Sequence, residues 1–467
     1  KATRWWREGA GVEGARGELE ARQTQSWLTV QENLRRVKEA ARRDRRVRFT
    51  ALLHHVNVES LRESFDRQRR HAASGVDGAT VESYGEHLEE NLQSLCARIH
   101  RGRYRPQPVR RVMIPKADGG ERPLGIPALE DKIVQGVVAE ILSAIYEEEF
   151  EEFSYGFRPG RSPHDALEAL SHAMGSEHVN WVLDADIRKF FDSVDHESLM
   201  RCIEQRIGDR RILHLLRQWL EAGVMEKGRW FASLLGTPQG SAISPLLANV
   251  FLHYVLDRWF VDWKRKYARG RVVLIRYADD FVMCFQHRSD AEGALAALKE
   301  RMSVCKLELH EGKTRLIEFG RFAHQNRARR GEGKPETFNF LGFTHYMGKT
   351  RRGDYMMKRK TQSSRLTRKL KAVRERARQM MHRSLPEQHE WLRSVLRGHY
   401  RYYGVRCNSP SLKSFYRQVR RIWRDALRGR NRNRDLTWAD YDKLLTHYPL
   451  PEPRLRNHTL QMPIPLR

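Results

Sequence analysis

Cysteine is scarce in this chain. The five present, Cys96, Cys202, Cys284, Cys305 and Cys407, lie far apart, and none forms a Cys-x-x-Cys pair. That spacing leaves neither a zinc knuckle nor a disulfide framework, so a reducing compartment is the expectation. Long apolar runs are missing too: none reaches the ~18 residues a membrane span needs, and the N-terminus lacks a signal-peptide pattern. No membrane partner and a cytoplasmic location follow as expectations. The first residue is Lys rather than Met, so further N-terminal sequence is expected. Acidic residues are in deficit, with 58 Asp+Glu against 86 Lys+Arg and a formal net charge of +28. Such an excess calls for an extended polyanion, nucleic acid before anionic membrane. It is concentrated at one end: residues 345–467 hold 31 Lys+Arg and 9 Asp+Glu, which is +22 of the +28. A hydrophobic content of 40% excludes wholesale disorder, and 467 residues suffice for several domains.

The stretch Arg276-Tyr277-Ala278-Asp279-Asp280 stands between Val272-Val273-Leu274-Ile275 and Phe281-Val282-Met283-Cys284-Phe285. Two apolar β-prone runs joined by a few polar residues predict a hairpin with Asp279 and Asp280 at its turn. Adjacent carboxylates repel, and half-burying them calls for a compensating partner, most simply a divalent cation. Upstream, Trp181-Val182-Leu183-Asp184-Ala185-Asp186-Ile187 reads as a strand ending in acids. Gly236-Thr237-Pro238-Gln239-Gly240-Ser241 reads as a tight loop opening a helix that runs from Ser244-Pro245 through Asp257. Val109–Lys116 and Arg122–Pro127 flank Asp118-Gly119-Gly120 as a basic hairpin, with Lys116 and Arg122 on either side of its turn, suited to triphosphate binding.

Around these, Thr29 to about Leu53 reads as a basic helix after an aperiodic leader containing Trp5-Trp6. Thr80 caps a helix through Cys96, and Asp131–Glu149 is a long helix. Phe153–Ser162 is a break before a helix opened by Ser162-Pro163. Helical runs cover about 197–222 and 289–304. Residues 321–337 read as a loop and Phe338–His345 as a short strand, after which the chain turns helical. Leu366, Leu370, Val373, Ala377 and Met380 form one apolar stripe. Further helices are expected at 386–403 and 410–429, with Ser409 as a cap and Gly404 as a stop, and then an irregular proline-rich tail. Three such helices bury their stripes together and leave a cationic outer wall.

The order of these signals, Asp186, Pro238-Gln239-Gly240, then Tyr277-Ala278-Asp279-Asp280, resembles a template-directed polymerase, and residues 75–345 resemble the group II intron-encoded reverse transcriptase/maturases. Lys116 to Pro127, Tyr155 to Ser162, Asp186 to His196, Gly236 to Pro245, Lys313 and Phe340-Leu341-Gly342-Phe343 carry the likeness. Gly398-His399-Tyr400-Arg401-Tyr402-Tyr403-Gly404, Trp438 and Tyr448–Arg454 resemble that family's maturase, or X, domain. The resemblance implies an α+β, right-hand polymerase. It places a leader and basic helical extension at 1–74, fingers at 75–175, a palm with an antiparallel sheet at 176–345, a helical thumb at 346–430 and a tail at 431–467.

It also implies two Mg²⁺ ions on Asp186, Asp279 and Asp280, with Ile187 counted in the metal set. Asp184 is the rival first acid; the pattern decides for Asp186, because Phe191 lies five residues after it as the expected aromatic gate against a 2′-hydroxyl. Lys116, Arg122 and Gln239 would join Phe191 in nucleotide binding, and Lys313 would act as general acid for pyrophosphate. Arg368, Lys371 and Arg378, opposite the apolar stripe, would bind RNA. The implied partners are group II intron RNA, an RNA template with a DNA primer, deoxynucleoside triphosphates and target DNA. The implied activity is RNA-templated DNA synthesis with assistance to splicing and retrohoming. Two alternatives are a domesticated relative in phage defence, spacer acquisition or diversity generation, and a splicing-only RNA-binding maturase, which has no need of the acidic cluster. The paired cysteines and histidines of the endonuclease domain found in many members are not visible.

Overall fold

The computed structural model describes residues 30–115, 120–176, 178–226, 229–231, 236, 240–430 and 436–455. The first helix, α1, covers 30–43 and stops well short of Leu53. Tertiary contacts take over there: Phe49 bridges to Ile207, and the Leu52 and Leu53 amides donate to Asp209 at 2.7 and 3.0 Å. After α2 (Val58–Asp66), the single helix expected from Thr80 is two, α3 (Val81–Gly85) and α4 (Leu88–His100). Thr80 does cap the first of them, accepting from the Ser83 amide. The basic hairpin forms as β1 (Val109–Pro115) and β2 (Glu121–Ile126), followed by α5 (Leu129–Tyr146) and α6 (Pro163–Ser176).

Next come β3 (Trp181–Asp186), the short α7 (Phe190–Ser193), and α8 (His196–Glu204) and α9 (Arg210–Glu221), the helical runs expected over about 197–222. Asp209 divides those two helices because its carboxylate caps α9 while holding the Leu52–Leu53 amides. Two short strands, β4 (Val224–Glu226) and β5 (Arg229–Phe231), precede α10 (Ser244–Leu252). The helix expected to end at Asp257 continues through one π turn, His253–Asp257, into α11 (Arg258–Tyr267). The carboxylate hairpin follows as β6 (Val272–Tyr277) and β7 (Asp280–Phe285), then α12 (Arg288–Val304) and β8 (Arg315–Glu318).

Residues 321–337 are not all loop. They hold α13 (Ala323–Arg329), pinned by Glu318, which accepts from Asn326 and pairs with Arg330. The expected strand Phe338–His345 is a bend: β9 (Phe338–Phe340) turns at Leu341-Gly342 (φ 50° and 79°) into β10 (Phe343–Lys349), which pairs with β11 (Tyr355–Thr361). The chain therefore turns helical only at α14 (Ser363–Gln379), continuing with α15 (Leu385–Tyr403) and α16 (Ser409–Arg430). The tail is not wholly irregular, since α17 (Trp438–His447) returns Tyr441 to the helical core.

The central sheet has the order β6-β7-β3-β8 and is antiparallel throughout. Leu183, Phe281, Met283 and Phe285 join one hydrophobic cluster with α5, α9, α10 and α12, while Val182, Val282, Cys284 and Ile317 join another with α6 and β9. Both faces being covered, β7 is a continuous apolar run without polar alternation. Leu370, Val373, Leu392, Phe415, Val419 and Trp423 form a third cluster among α14, α15 and α16. A second sheet has the order β2-β1-β4-β5 and a third β11-β10-β9.

Candidate active site

Asp186 is the last residue of β3, and the register sets it directly opposite Asp280, the first residue of β7. Asp280 is therefore in the strand, paired across to Tyr277, and the turn proper is Ala278-Asp279. Ala278 has φ 57°, the left-handed conformation that a tight two-residue connection demands. Asp280 has its carboxyl pushed up to about 7, first by burial and then by the like charges of Asp279 and Asp184. The Leu341 backbone amide faces that carboxylate and opposes the rise. Asp184, also on β3, is raised to about 6 by burial, against the pull of Arg315 at 3.4 Å.

The Lys313 ammonium lies 2.9 Å from Asp186 Oδ2. It arrives there because the His310 amide donates to the Asp186 carbonyl and Ile187 bridges antiparallel to Leu309, folding 309–313 back onto the end of β3. Phe191, partly buried on α7, packs edge-on to the buried Phe190 at 5.3 Å. Two glycines on either side of residues 237–239 are held by neighbouring segments. Gly236 (φ 86°) sits so close to the Phe191 carbonyl that an added Cβ would stand 2.6 Å from it, and His196 bonds the Gly236 carbonyl at 2.7 Å. Gly240 (φ 111°) packs against Leu124 and Gly125 of β2. Gly236 is thus held at the Phe191 segment and Gly240 at the basic hairpin. Gln239 and Lys116 themselves, and the side chain of Arg122, lie outside the described residues, as does Trp5-Trp6. Arg368, Lys371 and Arg378 stand exposed on α14, away from Leu370, Val373 and Ala377, far along the chain from the carboxylates.

What holds the turn was not foreseen. Arg276 is fully buried, and its guanidinium takes both oxygens of the equally buried Asp257, at 2.7 and 2.5 Å. The same guanidinium donates to Asn249 at 2.9 Å and to the Ala278 carbonyl at 3.2 Å. Asn249 in turn donates to the Gly156 carbonyl at 2.7 Å, and Gly156 lies flush against Tyr277-Ala278, where a side chain would collide with backbone. The one signal in the sequence was a charge at the end of an apolar strand, with an acid at the end of the preceding helical run.

The donor set fits a hard divalent cation. Carboxylate oxygens are what Mg²⁺ prefers, and it binds through one or two of them while leaving positions for water and phosphate. The mutual repulsion that lifts Asp280 is what such a charge relieves. Among the described residues no three acidic, His or Cys side chains stand together as a group that could hold a metal ion.

Residues 114–345 match the family of reverse transcriptases (RNA-dependent DNA polymerases). The chain is 35% identical over 297 residues to Protein YkfC of Escherichia coli K12, covering 55% of this chain and 77% of that protein. It is 41% identical over 199 residues to the group II intron-encoded protein LtrA of Lactococcus lactis, covering 42% of this chain and 32% of that one. The chain belongs to the group II intron reverse transcriptases. A protein in the cob intron of Schizosaccharomyces pombe is similar as well, 41% identical over 223 residues, covering 46% of this chain and 27% of that protein. The alignments thus span about a third or less of the two intron proteins. This reverse transcriptase is an RNA-directed DNA polymerase of mixed helix and antiparallel sheet, and divalent metal ions are general in its family. Among its described residues no helix is long and apolar enough to cross a membrane.

Proposed function

We propose that this reverse transcriptase copies RNA into DNA by two-metal phosphoryl transfer, using Asp186, Asp279 and Asp280 as the carboxylates and Ile187 beside them. The observation that carries the reading is the register of the central sheet, which sets Asp186 against Asp280 with Asp279 next door in the turn. Two Mg²⁺ ions held by these carboxylates would supply activation of the primer 3′-hydroxyl and neutralisation of charge on the leaving pyrophosphate. The protein's own part is positioning. Arg276 fixes the turn, Lys313 stands at Asp186 where an ammonium can pass a proton to departing pyrophosphate, and Phe191 bars a 2′-hydroxyl. Lys116, Arg122 and Gln239 complete the nucleotide pocket.

In the hand description, 75–175 act as fingers, 176–345 as palm and 346–430 as thumb, between an extension at 1–74 and a tail at 431–467. The excess of 22 positive charges over residues 345–467 suits an RNA role in addition to template–primer. Intron RNA would bind the α14 face that carries Arg368, Lys371 and Arg378, assisting splicing, and target DNA would serve retrohoming. The test is single-turnover extension of a DNA primer on an RNA template. Asp279→Ala should abolish extension while RNA affinity stays within about twofold of the parent, because ligand loss leaves the basic surface intact. Full extension by the variant refutes the assignment.

A further inference from the structure

Residues 153–156 run along the outer edge of β6, on the side away from β7. The Arg276 amide donates to the Phe153 carbonyl at 2.9 Å and the Tyr155 amide to the Arg276 carbonyl at 2.8 Å, so this segment bridges parallel to the edge of the central sheet. Across that sheet Asp186, Asp280 and Tyr277 are successive partners on β3, β7 and β6, and such partners share a face. The Phe157 ring lies next, 6.5 Å from that of Tyr277. Phe157 thus ends a row that begins at the Asp186 carboxylate.

Phe157 is 53% exposed, and its φ of 57° is one that a bulky side chain rarely adopts. Both neighbours enforce it. Gly156 is pressed against the backbone of Tyr277 and Ala278, and its carbonyl accepts from Asn249 at 2.7 Å. Buried Arg158 donates to the Glu151 and Ser154 carbonyls at 2.7 and 2.9 Å and pairs with Glu147 at 3.0 Å. Strain of this kind persists only where the surroundings over-determine it. More than half of the residue stays in water, so packing on Tyr277 does not account for the strain.

In phosphoryl transfer the attacking and leaving oxygens stand on opposite sides of the reacting phosphorus. Lys313, the proton donor to pyrophosphate in the proposed function, reaches Asp186 from the β8 side of the row. The primer oxygen then approaches from the other side, that of Tyr277 and Phe157. We propose that Phe157 is a primer-binding residue, its ring displayed by the strained backbone against the sugar and base edges of the primer's 3′-terminal nucleotides. Basic side chains grip phosphates, whereas an aromatic face takes up these apolar edges.

The side of approach rests on the reading of Lys313 and the carboxylates, and binding measured without metal separates the two. The probe is a fluorescently labelled RNA template with a recessed DNA primer, titrated with the full chain in EDTA; the same RNA without primer is the control. Phe157→Gly removes the ring and suits the left-handed backbone, so the melting temperature should stay at or above the parent's. Affinity for the primed template should fall about fivefold to tenfold, as expected for an aromatic side chain about half buried on binding, while the unprimed RNA binds unchanged. Phe157→Tyr keeps the aromatic face and should bind the primed template as the parent does. Parental affinity for the primed template in Phe157→Gly overturns the inference, as does equal weakening on both RNAs. So does a lowered melting temperature in that variant, which would make the ring a packing residue. Full extension by Asp279→Ala refutes the carboxylate assignment instead, an outcome on which these metal-free measurements do not depend.

Discussion

Replacing Arg276 with Met probes how the carboxylate turn is held. Arg276 and Asp257 are both fully buried, and the guanidinium makes four bonds: two to Asp257, one to Asn249 and one to the Ala278 carbonyl. Removing one partner of a buried pair strands the other charge, a loss of about 3–5 kcal/mol. Burial already raises the Asp257 carboxyl and Arg276 opposes that rise, so in the variant the carboxyl is raised further. The first urea transition should therefore move to lower denaturant by that free energy. Adding Asp257→Leu should recover most of the loss, since two apolar side chains of similar volume replace such a pair at little net cost. Activity should not recover, because the Ala278 carbonyl still lacks its anchor; extension should remain at least about tenfold slow. A single variant within about 1 kcal/mol of the parent rules out this anchoring role, and so does a fully active double variant.

Shrinking Phe191 to Val should raise ribonucleotide over deoxyribonucleotide incorporation in primer extension, and a flat ratio would move the gate elsewhere. Converting Arg368, Lys371 and Arg378 to Ser should shrink the salt dependence of intron RNA binding, by about 0.7 to 0.9 in log–log slope for each phosphate no longer neutralised. Extension of a short primer on a generic template should survive, and unchanged RNA binding would leave these residues a solvated face. Buried His253 and His345 are lowered to about 3 and His399 to about 4, in each case first by burial. They stay neutral when folded but charge when unfolded below about 6.5, so their contribution is full above that pH and is lost as pH falls towards 4. Asp131, Glu63 and Asp184, raised to about 6, and Asp280, raised to about 7, in each case first by burial, work the other way over the same window. Between pH 7 and 5 the urea midpoint of His345→Phe, where Phe keeps the stack on Phe338, should gain on that of the parent; equal pH slopes would contradict this.

The carboxylate hairpin was legible because its flanking strands are unbroken apolar runs that end in acids. The helices of the basic C-terminal quarter were legible from a stripe at helical spacing between proline starts and a glycine stop. What escaped detection was held by distant contacts. α13 lies in Arg- and Gly-rich sequence without periodicity and forms because Glu318 gathers Asn326 and Arg330. β11 was hidden by Lys358, Arg359 and Lys360, whose charges mask a strand that only its pairing with β10 defines. The helix past Asp257 was cut short because Arg258 and Asp262 interrupt the apolar pattern, whereas the π turn absorbs the shift of face. Within the site, Asp279 and Asp280 were read from the hairpin pattern, and Asp186 was preferred to Asp184 by the family resemblance. Arg276 was not legible, since a residue that acts by holding another leaves no pattern of its own in one sequence.

Whether Asp186, Asp279 and Asp280 hold the catalytic cations together can be read from where a bound ion cuts the chain. Replacing Mg²⁺ with Fe²⁺ and adding ascorbate and peroxide cleaves backbone beside the bound ion, and the cut sites can be mapped by mass spectrometry. Two clusters of cuts are expected, one at the end of β3 around Asp186–Ile187 and one at the turn Ala278–Asp280, both suppressed by excess Mg²⁺ and both absent in Asp279→Ala. Cuts confined to any other segment, or a pattern in Asp279→Ala identical to that of the parent, would contradict the assignment of these three carboxylates.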